Sequence, residues 1–173
     1  MIVRPAEDAD LDELTEIHVL GWQHAYVGIV PQHHLDGMSR ERVRQRWLER
    51  LSEGVISTWV TVTNDDVTGF VTVHDSRDHE AATAEVGGIY VHPEHWHTGA
   101  GSRLWQKALE WAGENGARQL MAWTFEQNSR ALAFYRAMGC RPTGDRRPYS
   151  IAGAEIPGIR VSMAVPIEML SNR

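Results

Sequence analysis

The stretch IYVHPEHWHTGAGSRLW, residues 89–105, decides the fold. It opens with β-branched and aromatic residues that predict a strand, and it ends where Leu104, Ala108 and Ala112 begin to recur at helical spacing. Between strand and helix, Gly99 and Gly101 allow the backbone to approach a ligand closely. The free N–H groups of a helix start, and the positive end of its dipole, would face the same loop. The stretch therefore predicts a backbone cradle for a phosphate or diphosphate group.

Two better-known phosphate motifs do not fit this stretch. No Gly-Lys-Ser or Gly-Lys-Thr follows the loop, as a P-loop requires. Leu104 stands where a dinucleotide fingerprint has its third Gly or Ala. Nucleoside triphosphates and NAD are therefore not expected. Taken alone, the glycine pair is also consistent with a turn that only caps a helix.

Outward from this stretch, the periodicity predicts the element order β α α β β β α β α β β. Asp10 and Glu13 have the spacing of a helix cap and predict a helix from Leu11 to around Gly21. The other predicted elements are strands at 2–4, 55–63, 67–73, 82–91 and 119–124, helices at 40–51 and 128–138, a helix through 104–112, and a last strand through 161–165. An antiparallel front half followed by a β-α-β-α unit predicts the α/β or α+β class, with a mixed, mainly antiparallel sheet flanked by helices.

The composition indicates one compact domain over residues 1–173 with an acidic balance. The net charge of −6 disfavours a nucleic-acid partner, because phosphate binding draws on clustered Lys and Arg, and it mildly favours a neutral or cationic acceptor. No apolar run reaches the roughly 20 residues that span a bilayer, and no signal peptide is recognised, so the cytoplasm is expected and a membrane partner is not. Cys140 is the only cysteine and is expected to pack in the core.

A second motif, NSRALAFYRAMGC at residues 128–140, predicts a helix. Asn128 is a favourable N-cap residue, and Ala131, Phe134, Tyr135 and Met138 share one face. Tyr135 would lie beside the core with a free hydroxyl. An aromatic residue at this spacing more often packs than reacts, so both roles stay open for this helix alone.

Together, the strand ending in Tyr90-Val91-His92-Pro93, the glycine loop and the second motif resemble the GCN5-related N-acetyltransferase (GNAT) family, most directly over residues 82–141. The resemblance implies the acyl-CoA N-acyltransferase fold and acetyl-CoA as co-substrate. It implies acetyl-CoA binding by Ile89, Tyr90, Val91, His97, Thr98, Gly99, Ala100, Gly101, Ser102, Asn128, Ala131 and Tyr135. One corner departs from the family, which usually has Gln or Arg at Trp96 and often Gly at His97.

Acetyl transfer to an amine needs a neutral nucleophile, a polarised thioester carbonyl and a proton for the leaving thiolate. Glu85 occupies a strand position where some family members keep a general base, and an exposed, solvated carboxylate is the alternative. The resemblance assigns Tyr135 the role of general acid. Gly87 and Gly88 predict a bulge or open strand edge where a ligand backbone can approach.

The acceptor site is the least determined part of the prediction. In the family it is commonly built from the first two helices and late loops, which points to Trp22, His24 and Tyr26 and to a loop at 151–159. The same aromatic residues could equally belong to the core. His92, His95 and His97 lie in a loop without the i,i+4 spacing of a helical zinc pair, so no metal is expected.

The function that the sequence predicts is an acetyl-CoA-dependent N-acetyltransferase acting on a primary amine, most simply that of a small molecule, by direct attack on the thioester. Acetylation of a protein N-terminus or lysine, or a CoA-binding module without turnover, are the alternatives. The acceptor's identity, the choice between Glu85 and a water or His as base, and a homodimer all stay open.

Overall fold

The computed structural model describes residues 1–54 and 56–170, so Val55, the first residue of the strand predicted at 55–63, lies outside the described part. Seven strands form one sheet in the order β1-β2-β3-β4-β5-β7-β6 with helices packed on it, which confirms the predicted fold class. The strands are β1 (Ile2–Pro5), β2 (Ser57–Thr63), β3 (Asp66–Asp75), β4 (Thr83–Val91), β5 (Gln119–Phe125), β6 (Arg141–Ile151) and β7 (Ala154–Ala164). The helices are α1 (Leu11–Ala25), α2 (Gln32–Asp36), α3 (Arg40–Glu53), α4 (Ala100–Glu114) and α5 (Ser129–Ala137).

The centre of the sheet opens where β4 and β5 separate. These two strands form the parallel pair, joined by the α4 crossover, and they pair only from Thr83 opposite Gln119 to Val86 opposite Ala122. Beyond that point β4 continues beside β3 and β5 continues beside β7, so a wedge-shaped gap forms between them. Thr72 pairs with Gly88 but Val73 pairs with Val86, which leaves Gly87 as the bulged residue. The predicted irregularity at the glycine pair is therefore confirmed.

The two faces of the sheet carry different cores because successive strand side chains alternate in direction. Val71 and Val73 of β3 pack with Leu104 and Trp105 of α4 in one buried cluster. Phe70, the residue before Val71 on the same strand, packs on the other face in the cluster formed by α1 and α3. Cys140 is buried in the α4 cluster, as expected, and burial raises the pKa of its thiol to about 12.

Several local predictions need correction. The Asp10 carboxylate does not cap α1; it binds both terminal nitrogens of Arg4 at 2.7 Å and accepts the Glu7 N–H at 2.8 Å. The helix begins where expected but runs on past Gly21 to Ala25. The short helix α2 was not predicted.

The loop predicted at 151–159 is instead a hairpin, in which β6 turns into β7 at Ala152 and Gly153. A tight two-residue turn replaces the expected loop, and Ile151 at the end of β6 lines the cleft described below. Both turn residues have positive φ, 49° for Ala152 and 82° for Gly153, as hairpin turns of the primed types require.

Candidate active site

A cleft of about 610 Å³ occupies the gap between β4 and β5. Its wall is built from the end of α1, the free part of β4, the loop and first turn that lead into α4, the end of β5, α5, and β6. The fold thus brings both sequence motifs to one opening in the sheet.

The glycine loop has the backbone geometry of an anion cradle. Gly99 precedes α4 with φ at 89°, a left-handed conformation that favours glycine. A Cβ on Gly101 would lie 3.2 Å from the Phe134 ring, so a side chain there would force the ring to shift by a few tenths of an ångström. The first helical bond runs from the Arg103 N–H to the Gly99 carbonyl at 3.1 Å, which leaves the preceding amides of the turn available to a ligand.

The corner that departs from the family has its own structure. The Trp96 indole N–H donates to the Val91 carbonyl at 2.9 Å and thereby ties the loop to the end of β4. The Arg130 guanidinium lies over the Trp96 ring at 3.7 Å. Arg130 lines the cleft and was missed by the sequence reasoning. His97 has φ at 62°, a left-handed conformation that glycine, which the family often has at this position, adopts without strain.

The free part of β4 offers a strand edge to the cleft. Ile89, Tyr90 and Val91 line it and pair with β3 on their other side. In the described part of the chain β5 pairs with β4 only as far as Val86, so the backbone groups beyond that residue on this side have no strand partner. An extended ligand with amide groups can therefore pair there as a strand would.

Tyr135 is buried, at 6% exposure, yet lines the cleft. Its ring packs edge-on against Trp105 with centroids 5.5 Å apart. Its hydroxyl makes no hydrogen bond to any residue that the structure describes, and burial raises the pKa of the phenol above its usual value of about 10. Tyr135 is therefore protonated at neutral pH and can donate a proton but not accept one.

Asn128 caps α5, as predicted. Its side-chain oxygen accepts the Ala131 N–H at 3.1 Å. Asn128 and Ala131 both line the cleft. The cap fixes the angle at which α5 presents Tyr135 to the opening.

Glu85, the candidate general base, does not line the cleft. It is fully buried on β4, so the alternative of an exposed carboxylate is wrong. One carboxylate oxygen accepts the Arg77 Nε at 2.9 Å and a terminal nitrogen of the same guanidinium, and the other accepts the Arg77 backbone N–H at 3.1 Å. Burial would raise the pKa of Glu85, but the bonds from Arg77 outweigh it and hold the pKa below its ordinary value. Arg77, and not Glu85, lines the cleft.

The side of the cleft away from the cradle is aromatic. Trp22 and Tyr26 both line it, and their rings meet at 4.9 Å. The Tyr26 hydroxyl lies 2.9 Å from that of Tyr90, and its ring packs on Phe125, which packs in turn on Tyr149 of β6. These residues belong to a third buried cluster, between α1, α2 and the β6–β7 hairpin.

The structure thus brings together most of the predicted site residues. Of those expected to bind acetyl-CoA, all but Thr98 and Ala100 line the cleft. His24, expected with Trp22 and Tyr26, lies instead beside Trp96, with ring centroids 6.1 Å apart. Among residues 1–54 and 56–170, no three His, Cys, Asp or Glu side chains are grouped as metal ligands, and no helix is both long and apolar enough to cross a bilayer.

Comparison with known proteins gives a consistent result. The family model described as "Acetyltransferase (GNAT) family" matches residues 12–140. The uncharacterized N-acetyltransferase YuaI of Bacillus subtilis is 27% identical over 158 residues, which are 89% of this chain and 87% of that protein.

Two solved structures have the same fold. The ribosomal-protein-alanine N-acetyltransferase of Brucella melitensis superposes with a TM-score of 0.75 at 21% identity, covering 95% of this chain and 99% of that one. The yncA protein of Salmonella typhimurium, solved with its cofactor acetyl-CoA, superposes with a TM-score of 0.72 at 23% identity, covering 96% of this chain and 94% of that one.

Proposed function

Because the chain belongs to the acetyltransferase (GNAT) family, whose members are acetyl-CoA-dependent acyltransferases, we propose that it transfers the acetyl group of acetyl-CoA to the primary amine of a small molecule. One observation carries the proposal. A single cleft joins an anion cradle, a free strand edge, a protonated phenol and an aromatic pocket.

The first three features match the parts of acetyl-CoA. The amides around Gly99 and Gly101 would hold the diphosphate, with Arg130 as the nearby cation. The backbone of residues 89–91 would pair with the amides of the pantetheine arm. The thioester would then lie near Tyr135 and Asn128, where β4 and β5 separate.

The chemistry assigned to the chain is direct transfer. Acetyl-CoA supplies the acyl carbon and a thiol leaving group, and the acceptor nitrogen forms the new C–N bond as the C–S bond breaks. Tyr135 donates its proton to the departing sulfur and recovers one from solvent. A backbone N–H at the bulge of Gly87 and Gly88 would polarise the carbonyl oxygen.

The proton that the amine must lose has two routes. Glu85 would accept it through a water that passes Arg77, since Arg77 separates it from the cleft. Alternatively the acceptor binds as the neutral amine, and the proton that its nitrogen loses as the C–N bond forms passes to solvent water without a protein base. Glu85→Gln distinguishes these routes. Only the first route predicts that the decrease of kcat at low pH, seen in the wild type, is absent from the variant.

The aromatic side of the cleft supports a small acceptor over a peptide. Tyr149 and Ile151 of the β6–β7 hairpin line it and pack in one cluster with Trp22 and Tyr26, and such an apolar pocket suits the body of a small molecule.

The test is release of CoA from acetyl-CoA by the purified protein with four acceptor classes: amino acids, monoamines, polyamines and peptides. Acetylation of at least one small amine, with the product identified by mass spectrometry, is expected. Transfer to peptides alone would favour the protein-acetylating alternative. Acetyl-CoA binding without transfer to any acceptor would favour a module without turnover.

A further inference from the structure

The charges on the cleft wall differ from those of the whole chain. The chain carries a net charge of −6, but the wall that the described residues form contains Arg77 and Arg130 and no Asp or Glu. Polyamines and aminoglycosides are polycations, and a site for them needs carboxylates to replace their water. The expectation of a neutral or cationic acceptor, which rested on the net charge, therefore does not extend to this cleft.

The two arginines on the wall lie at different places. Arg130 lies on Trp96 beside the cradle, where the phosphates of acetyl-CoA need a cation. Arg77 follows β3 and forms an ion pair with the buried Glu85, while 57% of the Arg77 side chain is exposed. Glu85 binds its Nε and one terminal nitrogen, and the other terminal nitrogen has no hydrogen-bond partner among the described residues. Phosphate binding does not account for this second cation.

A third arginine contacts two residues of the cleft wall without lining the cleft itself. Arg147 of β6 donates from Nε to the Tyr149 hydroxyl at 2.8 Å, and its guanidinium lies 4.1 Å from the Trp123 ring centre. It is half-buried, and no carboxylate among the described residues pairs with it. Burial raises the pKa of the Tyr149 phenol, and the hydrogen bond from Arg147 acts to lower it. Trp123 and Tyr149 line the cleft.

We propose that Arg77, on the cleft wall, and Arg147, held on the cleft residue Tyr149, bind an anionic group of the acceptor, which is therefore an amino-acid-like molecule: an apolar or aromatic body carrying a primary amine and a carboxylate. The aromatic wall of Trp22, Tyr26 and Phe125 takes the body. Arginine suits a carboxylate because its planar N–H groups match the two oxygens. This inference rests on the proposed transfer to a small amine.

The test compares acceptors that differ only in the carboxylate. L-phenylalanine and 2-phenylethylamine are assayed with saturating acetyl-CoA, as are L-methionine and 3-(methylthio)propylamine, with spermidine and an N-terminal Phe peptide amide as further acceptors. The amino acid of each pair is expected to show a kcat/KM about tenfold to a hundredfold higher, the range that charged hydrogen bonds provide. The difference should lie mainly in KM, since the anionic group is remote from the reacting atoms.

Variants separate this role from a structural one. Arg147→Gln should reduce the preference for the carboxylate severalfold, because Arg77 remains, and it should raise KM for the amino acids more than for the bare amines. Arg77→Gln alone would leave the Glu85 carboxylate buried and unpaired, so it is made together with Glu85→Gln and compared with Glu85→Gln alone, which carries any loss of the base. Arg146→Gln is the matched control, because Arg146 is the exposed neighbour that pairs with Glu126 at 2.8 Å.

Two results would overturn the inference in different ways. Faster acetylation of the bare amine, of spermidine or of the peptide would refute the anion site and leave the proposed amine transfer intact. Failure of every acceptor, with acetyl-CoA bound, would refute the proposed function and this inference with it.

Discussion

Replacing Tyr135 by Phe removes one oxygen from the centre of the cleft and tests its assigned chemistry. The hydroxyl has no hydrogen-bond partner among the described residues, so its loss strands no donor or acceptor. The ring keeps its edge contacts with Trp105 at 5.5 Å and Phe134 at 5.4 Å. The free energy of unfolding should therefore change by less than about 0.5 kcal/mol, the usual scatter of a neutral substitution.

The expected effect on catalysis is much larger. A positioned general acid contributes typically about 10²–10⁴-fold to the rate, which is about 3–5 kcal/mol of transition-state stabilisation. Because burial keeps the phenol protonated, deprotonation of Tyr135 should not lower the wild-type kcat at any pH below about 10. The variant should lose kcat and keep its affinity for acetyl-CoA.

The assay is thiol release under saturating acetyl-CoA, with calorimetric titration of acetyl-CoA and urea unfolding on the same preparations. A kcat within about twofold of wild type would refute the acid role of Tyr135. A large loss of stability would show instead that the hydroxyl has a structural partner.

Three further predictions concern the cradle, the core and the helix cap. Gly99→Ala should lower the free energy of unfolding by about 1–2 kcal/mol and weaken acetyl-CoA binding, because a backbone with φ at 89° is strained for alanine. The new Cβ would meet no atom within 4 Å, so no steric clash contributes. An unchanged urea unfolding curve would refute this prediction. Burial, and after it the charges of Arg50 and Arg46, lower the pKa of His18 from 6.5 to about 4, so the folded protein favours the neutral imidazole. The stability that this provides above pH 6.5 should decrease by about 3 kcal/mol as the pH falls towards 4. The free energy of unfolding of His18→Leu should not show this decrease. The same dependence on pH in the variant and the wild type would contradict the prediction. Asn128→Ala should cost about 1 kcal/mol by thermal unfolding, and no change would rule out the cap.

The sequence predicted the parts of the fold that depend on local patterns. The strand-to-helix change before α4, the Asn128 cap and the bulge beside Gly88 follow from residues close together in the chain. The cap of α1 was predicted wrongly because Arg4, six residues away, binds the Asp10 carboxylate. Local spacing cannot reveal that competition.

The electrostatic features of the cleft could not be predicted in the same way. The pairing of Arg77 with Glu85 depends on how β3 and β4 are aligned, and Arg130 meets Trp96 only after α5 packs beside the loop. Neither contact has a sequence signature. The absence of carboxylates from the cleft wall is likewise a property of the folded surface, and the net charge of the chain pointed the other way.

A crystal structure of the protein with CoA tests the central claim most directly. The diphosphate oxygens should lie within about 2.7–3.2 Å of the backbone N–H groups of residues 99–102, with the pantetheine beside residues 89–91 and the sulfur near the Tyr135 hydroxyl. A CoA molecule bound with its diphosphate away from the glycine loop, or outside the gap between β4 and β5, would contradict it.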